Sequence, residues 1–463
     1  MQLLLAHRYF ETDHFEEAVE EYNAYRYSYP ELASRVGLPL EGAGLQIARA
    51  WFGRAENGGS DEARDHYRQA ELELRRTLAA FPGSTFDDEL WFNLGLAVQL
   101  QGGEEKLAEA LKVFAEVREL VGEIGFGRSA LFQTARIHRQ QEEFARAADG
   151  YRQLIEELGD AAEGGVARFE LGVTEQAAGA RERALAAFLA VHPVSVLYSR
   201  SRLEAGQVLA QQGAREQAIE VFTEGLDAAG DGEEEALFHY LLAATQAQLG
   251  NQSEALAHFE RAAAGAGPEL KERALYGRGV AAFKLERYGE AVAYLDREWE
   301  DVEIASAALR LLAAAHASLG QANEAMAIYG ELAGGGVPAA EQAEYRLALA
   351  EIAYRQGEYD RAVAACEELL LLDFAEEPPG AVRPYFVREK AHFLIADART
   401  REEDFASARE AAQAGLKRFA KAFYAPDFLF LDGLAALQLD LNDEAAGSLR
   451  ELLLRFPEHE NAP

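Results

Sequence analysis

Cysteine is almost absent from this chain: Cys366 is the single one among 463 residues. One cysteine excludes a disulfide framework. Long hydrophobic runs are also missing, and no stretch approaches the roughly 20 apolar residues that a transmembrane helix needs. Positive charge is scarce, since 45 Lys and Arg stand against 79 Asp and Glu, for a formal net charge of -34. This balance argues against nucleic acid as a partner, because phosphates would be repelled.

Motifs of catalysis and cofactor binding are missing as well. The ten histidines form no H-E-x-x-H, and no Cys/His pair has the spacing of a metal site. No phosphate-binding loop of the form G-x-x-x-x-G-K-[ST] occurs. Carboxylates are so abundant that no pair stands out as acid and base. The sequence therefore predicts a protein that is not an enzyme, with no catalytic residue, metal or cofactor.

What is present is a repeated pattern, clearest between Tyr345 and Asp373. This stretch predicts two amphipathic helices that meet at Gly357. Ala350 and Ala362 are small where the two helix backbones would cross, and Cys366 takes a large buried position as an inert core thiol. Such a helix pair cannot bury its apolar faces alone, so it needs neighbours like itself.

The chain supplies about twelve such pairs. The small residue of the second helix recurs as Ala18, Ala70, Ala110, Ala147, Ala184, Ala218, Ala255, Ala291, Ala325, Ala362, Ala408 and Ala445. The small residue of the first helix recurs as Ala6, Ala48, Gly95, Ala135, Gly172, Gly206, Ala243, Gly279, Ala313, Ala350, Ala396 and Gly433. Ten of the twelve pairs are 12 residues apart, and a large residue such as Tyr22, Phe114 or Phe188 often follows the second marker by four positions.

The pattern resembles the tetratricopeptide repeat (TPR), which has small residues at positions 8 and 20, a large one at 24 and proline at 32. Trp91, Leu94 and Gly95 reproduce its W-x2-L-G opening, and Pro30, Pro82 and Pro457 fall at the proline position. The resemblance covers nearly the whole chain. It implies an all-α fold, a right-handed superhelical α-solenoid, and a frame for binding other proteins.

The predicted domains follow the spacing of the markers. Residues 1–375 form the main array of about ten repeats, with an insertion near 54–66 that we expect to be an exposed loop followed by a second helix capped by Asp61. Residues 376–384 hold Pro378, Pro379 and Pro384 and are expected to form a joint, because proline cannot continue a helix. Residues 385–463 carry two further repeats.

The resemblance also predicts a binding groove lined by the first helices. In the family, positions 2, 5, 9, 12 and 13 of each repeat point into it, and position 5 of this chain carries a ladder of mostly aromatic residues. A peptide could use these rings as anchors; alternatively, they reflect the family's usual aromatic at this position. The predicted peptide-binding residues are Phe92, Phe132, Arg136, Arg139, Phe169, Arg200, Leu203, Gln207, Tyr240, Arg273, Tyr276, Lys284, Arg310, Leu347, Phe393 and Phe430.

Charge at these positions inverts the balance of the whole chain. The basic residues are Arg49, Arg136, Arg139, Arg200, Arg273, Lys284, Arg310, Arg355, Lys390 and Arg401, and the acidic ones are Glu11, Glu89, Glu344, Glu351, Asp397 and Asp427. Such a groove favours a partner with acidic side chains or a free carboxylate. A carboxylate clamp of the cochaperone kind is not expected, since Asn93 alone matches one of its positions.

Three functions remain open at this point. The favoured one is a non-catalytic scaffold that binds extended or helical peptide segments, with bacterial cell-envelope assembly or secretion as a setting. The second is self-association through open ends, which light scattering across concentration would reveal. The third is a carbohydrate-binding or enzymatic accessory module, which a glycan array would separate from a peptide binder. The first repeat begins with the apolar Leu3, Leu4 and Leu5 instead of a polar cap, which suggests further residues upstream, including an export signal. With an export signal the protein would be periplasmic, and without an export signal it would be cytoplasmic.

Overall fold

The computed structural model describes residues 1–28, 39–57, 59, 62–159, 164–230, 232–334, 336–377, 380, 383 and 385–460, and the backbone of residues 60–61. Within these residues the chain is all-α and forms 24 helices. It divides into two compact units, Met1–Ala229 and Gly230–Pro463. The first unit contains α1 Gln2–Glu11, α2 Phe15–Ser28, α3 Leu40–Asn57, α4 Ser60–Ala80, α5 Asp87–Leu100, α6 Glu104–Val121, α7 Phe126–Gln140, α8 Phe144–Leu158, α9 Gly165–Ala177, α10 Arg181–Leu189, α11 Tyr198–Gln211 and α12 Arg215–Ala228.

The second unit repeats the same plan of consecutive helix pairs. It contains α13 Glu233–Gln248, α14 Gln252–Gly265, α15 Pro268–Lys284, α16 Tyr288–Leu295, α17 Val302–Ser318, α18 Ala322–Gly334, α19 Ala339–Arg355, α20 Tyr359–Leu370, α21 Val387–Arg401, α22 Phe405–Phe419, α23 Ala425–Gln438 and α24 Asn442–Arg455. Apart from one isolated β-bridge between Gly380 and Arg383, the described part of the chain holds no extended pairing. None of its helices is both long enough and apolar enough to cross a membrane.

The small marker residues lie where the helices of each pair cross, as predicted. All twelve second-helix alanines are at most 2% exposed. At the first-helix glycines a large side chain fills the space that a Cβ would take: the ring of Phe188 lies over Gly172, and that of Phe114 over Gly95. Small residues thus let the pair approach closely while the large residue four positions after the second marker closes the core.

Each turn within a 12-residue pair contains a residue of positive φ, five positions before the second marker. Five of the ten are glycines, such as Gly357 with φ 79°. The other five are Asp or Glu, such as Glu142 with φ 60°. The residue after the turn then donates its backbone N–H across it, as Glu143 does to the carbonyl of His138 at 2.8 Å. This bond satisfies a carbonyl that the end of the first helix leaves free.

Among the described residues of the insertion, 54–57 and 60–66 are helical and the exposed Gly59 is not, so helix replaces the predicted loop over most of its length. Helix α3 continues to Asn57 and α4 starts at Ser60, with Gly59 rather than Asp61 at the N-cap. Good helix formers explain the extension, because Arg54, Ala55 and Glu56 add a turn and Ala55 is buried. Pro30, Pro378, Pro379 and Pro384 lie outside the described residues, and the predicted domain boundaries stay predictions.

Candidate functional site

The first helices of neighbouring pairs contact one another within each unit. Such contacts join α5 to α7 in the first unit, and α13 to α15, α15 to α17, α19 to α21 and α21 to α23 in the second. Each unit therefore has a face built from first helices, and the predicted groove residues all belong to these helices. Because i, i+3 and i+4 share a helix face, positions 2, 5 and 9 fall on one side of each first helix.

The predicted aromatic ladder is partly built into the core. Phe92, Phe132, Leu203, Gln207, Tyr240, Tyr276, Phe393 and Phe430 are half-buried, whereas Phe169 and Leu347 are buried. The ring of Phe132 packs edge-on against Tyr151 with centroids 5.7 Å apart, and Phe169 packs against Phe188 at the same distance. These rings help to hold each pair together, so a ligand would meet only the exposed part of each half-buried ring.

The predicted basic residues differ in their exposure to solvent and in whether they form ion pairs. Arg136, Arg200, Arg273, Lys284 and Arg310 are exposed, and Arg139 is half-buried. Arg139 pairs with Glu170 at 2.9 Å, and Arg273 pairs with Glu269 at 2.9 Å. In the part of the chain that the structure describes, Arg136, Arg200 and Lys284 make no ion pair. Their charge is therefore available to a partner.

Two of the predicted residues, Phe92 and Phe132, line one cavity of about 280 Å³. The cavity is formed by residues of α5, α7, α8 and α9. Its other lining residues are Arg128, Ser129, Gln133, Leu154, Leu158, Val166 and Ala167. Phe126 supports Phe92 from the side, with centroids 5.3 Å apart. The result is an apolar depression on the first-helix face, large enough for a side chain of a ligand.

Polar side chains form one wall of this cavity. The Nη2 of Arg128 donates to the carbonyl oxygen of Glu157 at 2.8 Å. Its Nε is buried and has no hydrogen-bond partner among the described residues. Nearby, Gln133 accepts weakly from Gln99 at 3.3 Å and from Arg136 at 3.4 Å. These side chains give the cavity a polar edge beside its apolar wall.

Sequence reasoning missed Arg128 and Gln133 because neither occupies a groove position of the family pattern. A signal was nevertheless available. Arg128 precedes Phe132 by four residues, which places both on one side of α7. Phe169 and Arg200 are another pair that the structure brings together, since the Arg200 guanidinium lies 5.4 Å from the ring centroid.

In the second unit, Lys390 lies among three aromatic rings. Its Nζ is 5.3 Å from the ring centroids of Tyr385 and Phe393 and 4.9 Å from that of Tyr424. It donates to the hydroxyl of Tyr424 at 2.6 Å. Burial lowers the pKa of the Lys390 ammonium, and the Glu351 carboxylate opposes that shift. Cation–π contacts stabilise the charge in this setting.

Ion pairs neutralise other charges of helices α19 and α21. Arg401 donates from Nε to Asp397 at 3.0 Å and to the Tyr354 hydroxyl at 2.6 Å. Arg383 pairs with Glu344 at 2.6 Å. Arg136, beside the cavity of Phe92 and Phe132, makes no such ion pair among the described residues. No group of three or more metal-ligating side chains occurs among the described residues.

Comparison with known proteins gives the same repeat pattern. Two family models, both described as tetratricopeptide repeat, match the chain, one at residues 203–270, 246–298 and 393–463 and the other at 129–159. None of the curated proteins compared with the chain matches it.

Several solved structures are similar to this chain. The C-terminal part of a TPR repeat-containing protein from Cytophaga hutchinsonii is 16% identical, with a TM-score of 0.41 over 52% of this chain and 95% of that one. YrrB, described as a TPR protein with an unusual peptide-binding site, is 18% identical, with a TM-score of 0.35 over 40% and 91%. A tetratricopeptide repeat protein from Parabacteroides merdae is 17% identical, with a TM-score of 0.33 over 58% and 98%.

Proposed function

The chain is a tetratricopeptide-repeat protein, and from that premise we propose that the first-helix face of its first unit binds a peptide segment of a partner protein. An apolar side chain of the peptide fills the cavity between Phe92 and Phe132. A neighbouring acidic side chain or carboxylate faces Arg136 and Arg200. As a member of this family the chain is a scaffold for protein–protein interaction. Our proposal adds the chemistry of the peptide that it binds.

The observation that carries the proposal is the apolar cavity with unpaired arginine charge beside it. Apolar walls of Phe92, Phe132 and Val166 favour an apolar side chain, at about 25 cal/mol per Å² of buried surface. Arg136, which makes no ion pair among the described residues, lies next to the cavity, because its Nη1 is 3.4 Å from the side-chain oxygen of the lining residue Gln133. The apolar walls and this charge together support a ligand with an apolar group next to a carboxylate.

Charge supports an acidic partner rather than a basic one. The chain carries a formal net charge of -34, so its surface as a whole attracts basic peptides without selectivity. Arg136 and Arg200 make no ion pair within the described residues. Arg136 lies on α7 beside the cavity, and Arg200 lies on α11. They favour an acidic segment locally while the surrounding surface repels it elsewhere, which gives selectivity for this place. The setting in cell-envelope assembly or secretion belongs to the same proposal, and fractionation of the source cells tests it.

The first prediction concerns this groove. We would measure binding to an immobilised set of decapeptides that carry one Leu or Phe flanked by Asp or Glu, and to a matched set flanked by Lys. Wild-type protein should bind the acidic set. Val166→Glu, at a side chain 40% exposed on the cavity wall, should abolish binding at this cavity by repulsion. Phe132→Ala should weaken it about tenfold, roughly the loss of a buried apolar contact.

The charge-reversal variants of the groove have a matched control. Arg136→Glu should weaken binding of the acidic set at this cavity at least tenfold, and reversal of Arg139 and Arg200 as well should abolish it there. Arg146→Glu makes the same change on α8, at an exposed arginine that pairs with Glu143, and should leave binding unchanged. Equal binding of the Lys-flanked set, or no effect of Val166→Glu on a folded protein, would contradict the proposal.

A further inference from the structure

A second cavity, of about 410 Å³, lies on the far side of α9 from the groove residue Phe169. Residues of α8, α9 and α10 line it. At about 100° per residue, Arg168, Leu171 and Glu175 point roughly 100–160° away from Phe169 around α9. This volume is at the lower end of the roughly 300–1,000 Å³ typical of ligand pockets. The cavity is therefore separate from the proposed groove and has room for one or two side chains.

The floor of this second cavity departs from the pattern of the chain's own repeats. Six positions after the second-helix marker, nine of the twelve repeats carry Glu, Gln or Arg. At the C-cap of α10 that position is Ala190, and Ala186 and Ala187 lie beside it on the floor. Ile155 and Leu171 complete the apolar lining. Where most repeats place a long polar side chain, this one leaves an open apolar space.

The rim of the cavity is rich in arginine, and the buried carboxylate of Glu175 binds two of these arginines. Glu175, only 2% exposed, accepts from Arg152 and, at 2.9 Å, from the Nε of Arg183. Arg168, 8% exposed, donates to the carbonyl oxygen of Gly159 at 2.9 Å. Among the described residues, the terminal Nη1 and Nη2 of Arg183 meet no partner. Glu156, an exposed residue, also lines the cavity.

We infer that this cavity is a second peptide-docking site, which takes one large apolar side chain of a partner protein with a carboxylate next to it. The apolar side chain rests on Ala187, Ala190 and Leu171. The carboxylate accepts from the Nη atoms of Arg183, which Glu175 orients; such charge-assisted bonds are about twice as strong as neutral ones. A chain with two docking sites on opposite sides of one helix joins two segments, so this inference goes beyond the groove.

The test places a long polar side chain at position 190, as most repeats have at the equivalent position. Ala190→Gln fills the cavity without adding charge, using a residue type that α8 carries at the equivalent Gln153. With the acidic Leu/Phe decapeptides as probes, read by isothermal titration, we expect two binding events for wild type. One event should disappear in Ala190→Gln, and Arg183→Gln should weaken that same event at least fivefold. Val166→Glu should remove the other event alone.

Position-matched controls distinguish this site from a general effect on folding. Ala414→Gln makes the same change at the equivalent exposed position of α22 and should leave both events intact. If Ala190→Gln protein, folded by circular dichroism, retains both events, or if wild type shows a single event that Val166→Glu removes, the second site does not exist. If the Ala190-sensitive event occurs without the Val166-sensitive one, the groove proposal fails and this inference stands.

Discussion

A single glycine at a helix crossing affects the stability of the whole protein. In a helix interior, Gly→Ala alone gains about 1 kcal/mol. At Gly172, however, the new Cβ would lie 2.5 Å from both Cδ1 and Cε1 of Phe188, whose ring is fully buried. Overpacking of this kind costs about 1–3 kcal/mol, and a buried ring belongs at the upper end. We therefore expect Gly172→Ala to destabilise the protein by roughly 1–2 kcal/mol.

Urea unfolding followed by circular dichroism measures this effect, with Gly447→Ala as the control. Gly447 lies in α24, where an added Cβ meets nothing within 4 Å. That variant should keep or raise the urea midpoint, because only helix propensity changes. Opposite signs for the two substitutions would support the crossing role of Gly172. A rise in both midpoints would mean that Phe188 moves aside without cost.

Within a helix pair, two imidazoles form a contact that depends on pH. The Nδ1 atoms of His239 on α13 and His258 on α14 are 3.0 Å apart, so one nitrogen must be unprotonated to accept. Burial lowers the pKa of both, and Arg261 adds to the effect, while Glu235 beside His239 opposes it. The folded pair is therefore neutral where an unfolded histidine, with pKa about 6.5, takes up a proton.

The sign of the pH effect follows from linkage. Because the folded pKa values lie below the unfolded value, the contribution to stability is complete above about pH 6.5 and falls as the pH drops below it. We expect His258→Gln to reduce the loss of urea midpoint between pH 7 and pH 5. His14→Gln, at an exposed histidine, should leave that loss unchanged. Identical pH profiles for wild type and His258→Gln would rule out the pair as its source.

A structural element can be predicted from the sequence when the residues that determine it are close together in the chain. Small residues at fixed spacing predicted all twelve pairs, because crossing helices require them wherever they occur. The left-handed turn was evident at Gly357 but not at Glu142, since glutamate rarely takes φ of about 60° and only the neighbouring helices impose it. The helical insertion was missed for a similar reason: Gly58 and Gly59 suggest a loop, yet burial of Ala55 extends α3.

Arginines at helix junctions show why the candidate site was only partly predictable. Arg168 and Arg202 reach back to main-chain carbonyls at the end of the preceding helix, and Arg346 does the same to Ala333. These bonds satisfy acceptors that the helix end leaves free. A charge count assigns such side chains to the surface, although they are structural. Arg136 and Arg200 could be placed on the groove face from register alone, but their lack of ion pairs depends on three-dimensional neighbours.

At the scale of the whole molecule, the dominant electrostatic fact is a formal net charge of -34. Self-repulsion acts over a Debye length of about 30 Å at 10 mM salt and about 3 Å at 1 M. Close ion pairs such as Arg118–Glu157, at 2.7 Å and half-buried or better, are screened far less than charges spread over the surface. Added salt therefore removes more repulsion than attraction. We expect the thermal midpoint Tm to rise between 10 mM and 1 M NaCl.

The salt prediction can be separated from specific ion effects. Tm measured by circular dichroism should follow the same rising curve in NaCl and KCl, because screening depends on ionic strength alone. Most of the rise should occur below about 0.2 M, where the Debye length shortens fastest. Binding of the acidic decapeptides should weaken over the same range, since Arg136 and Arg200 are exposed and their attraction is screened. A Tm that falls with salt would mean that the ion pairs, and not the net charge, set the stability of this acidic chain.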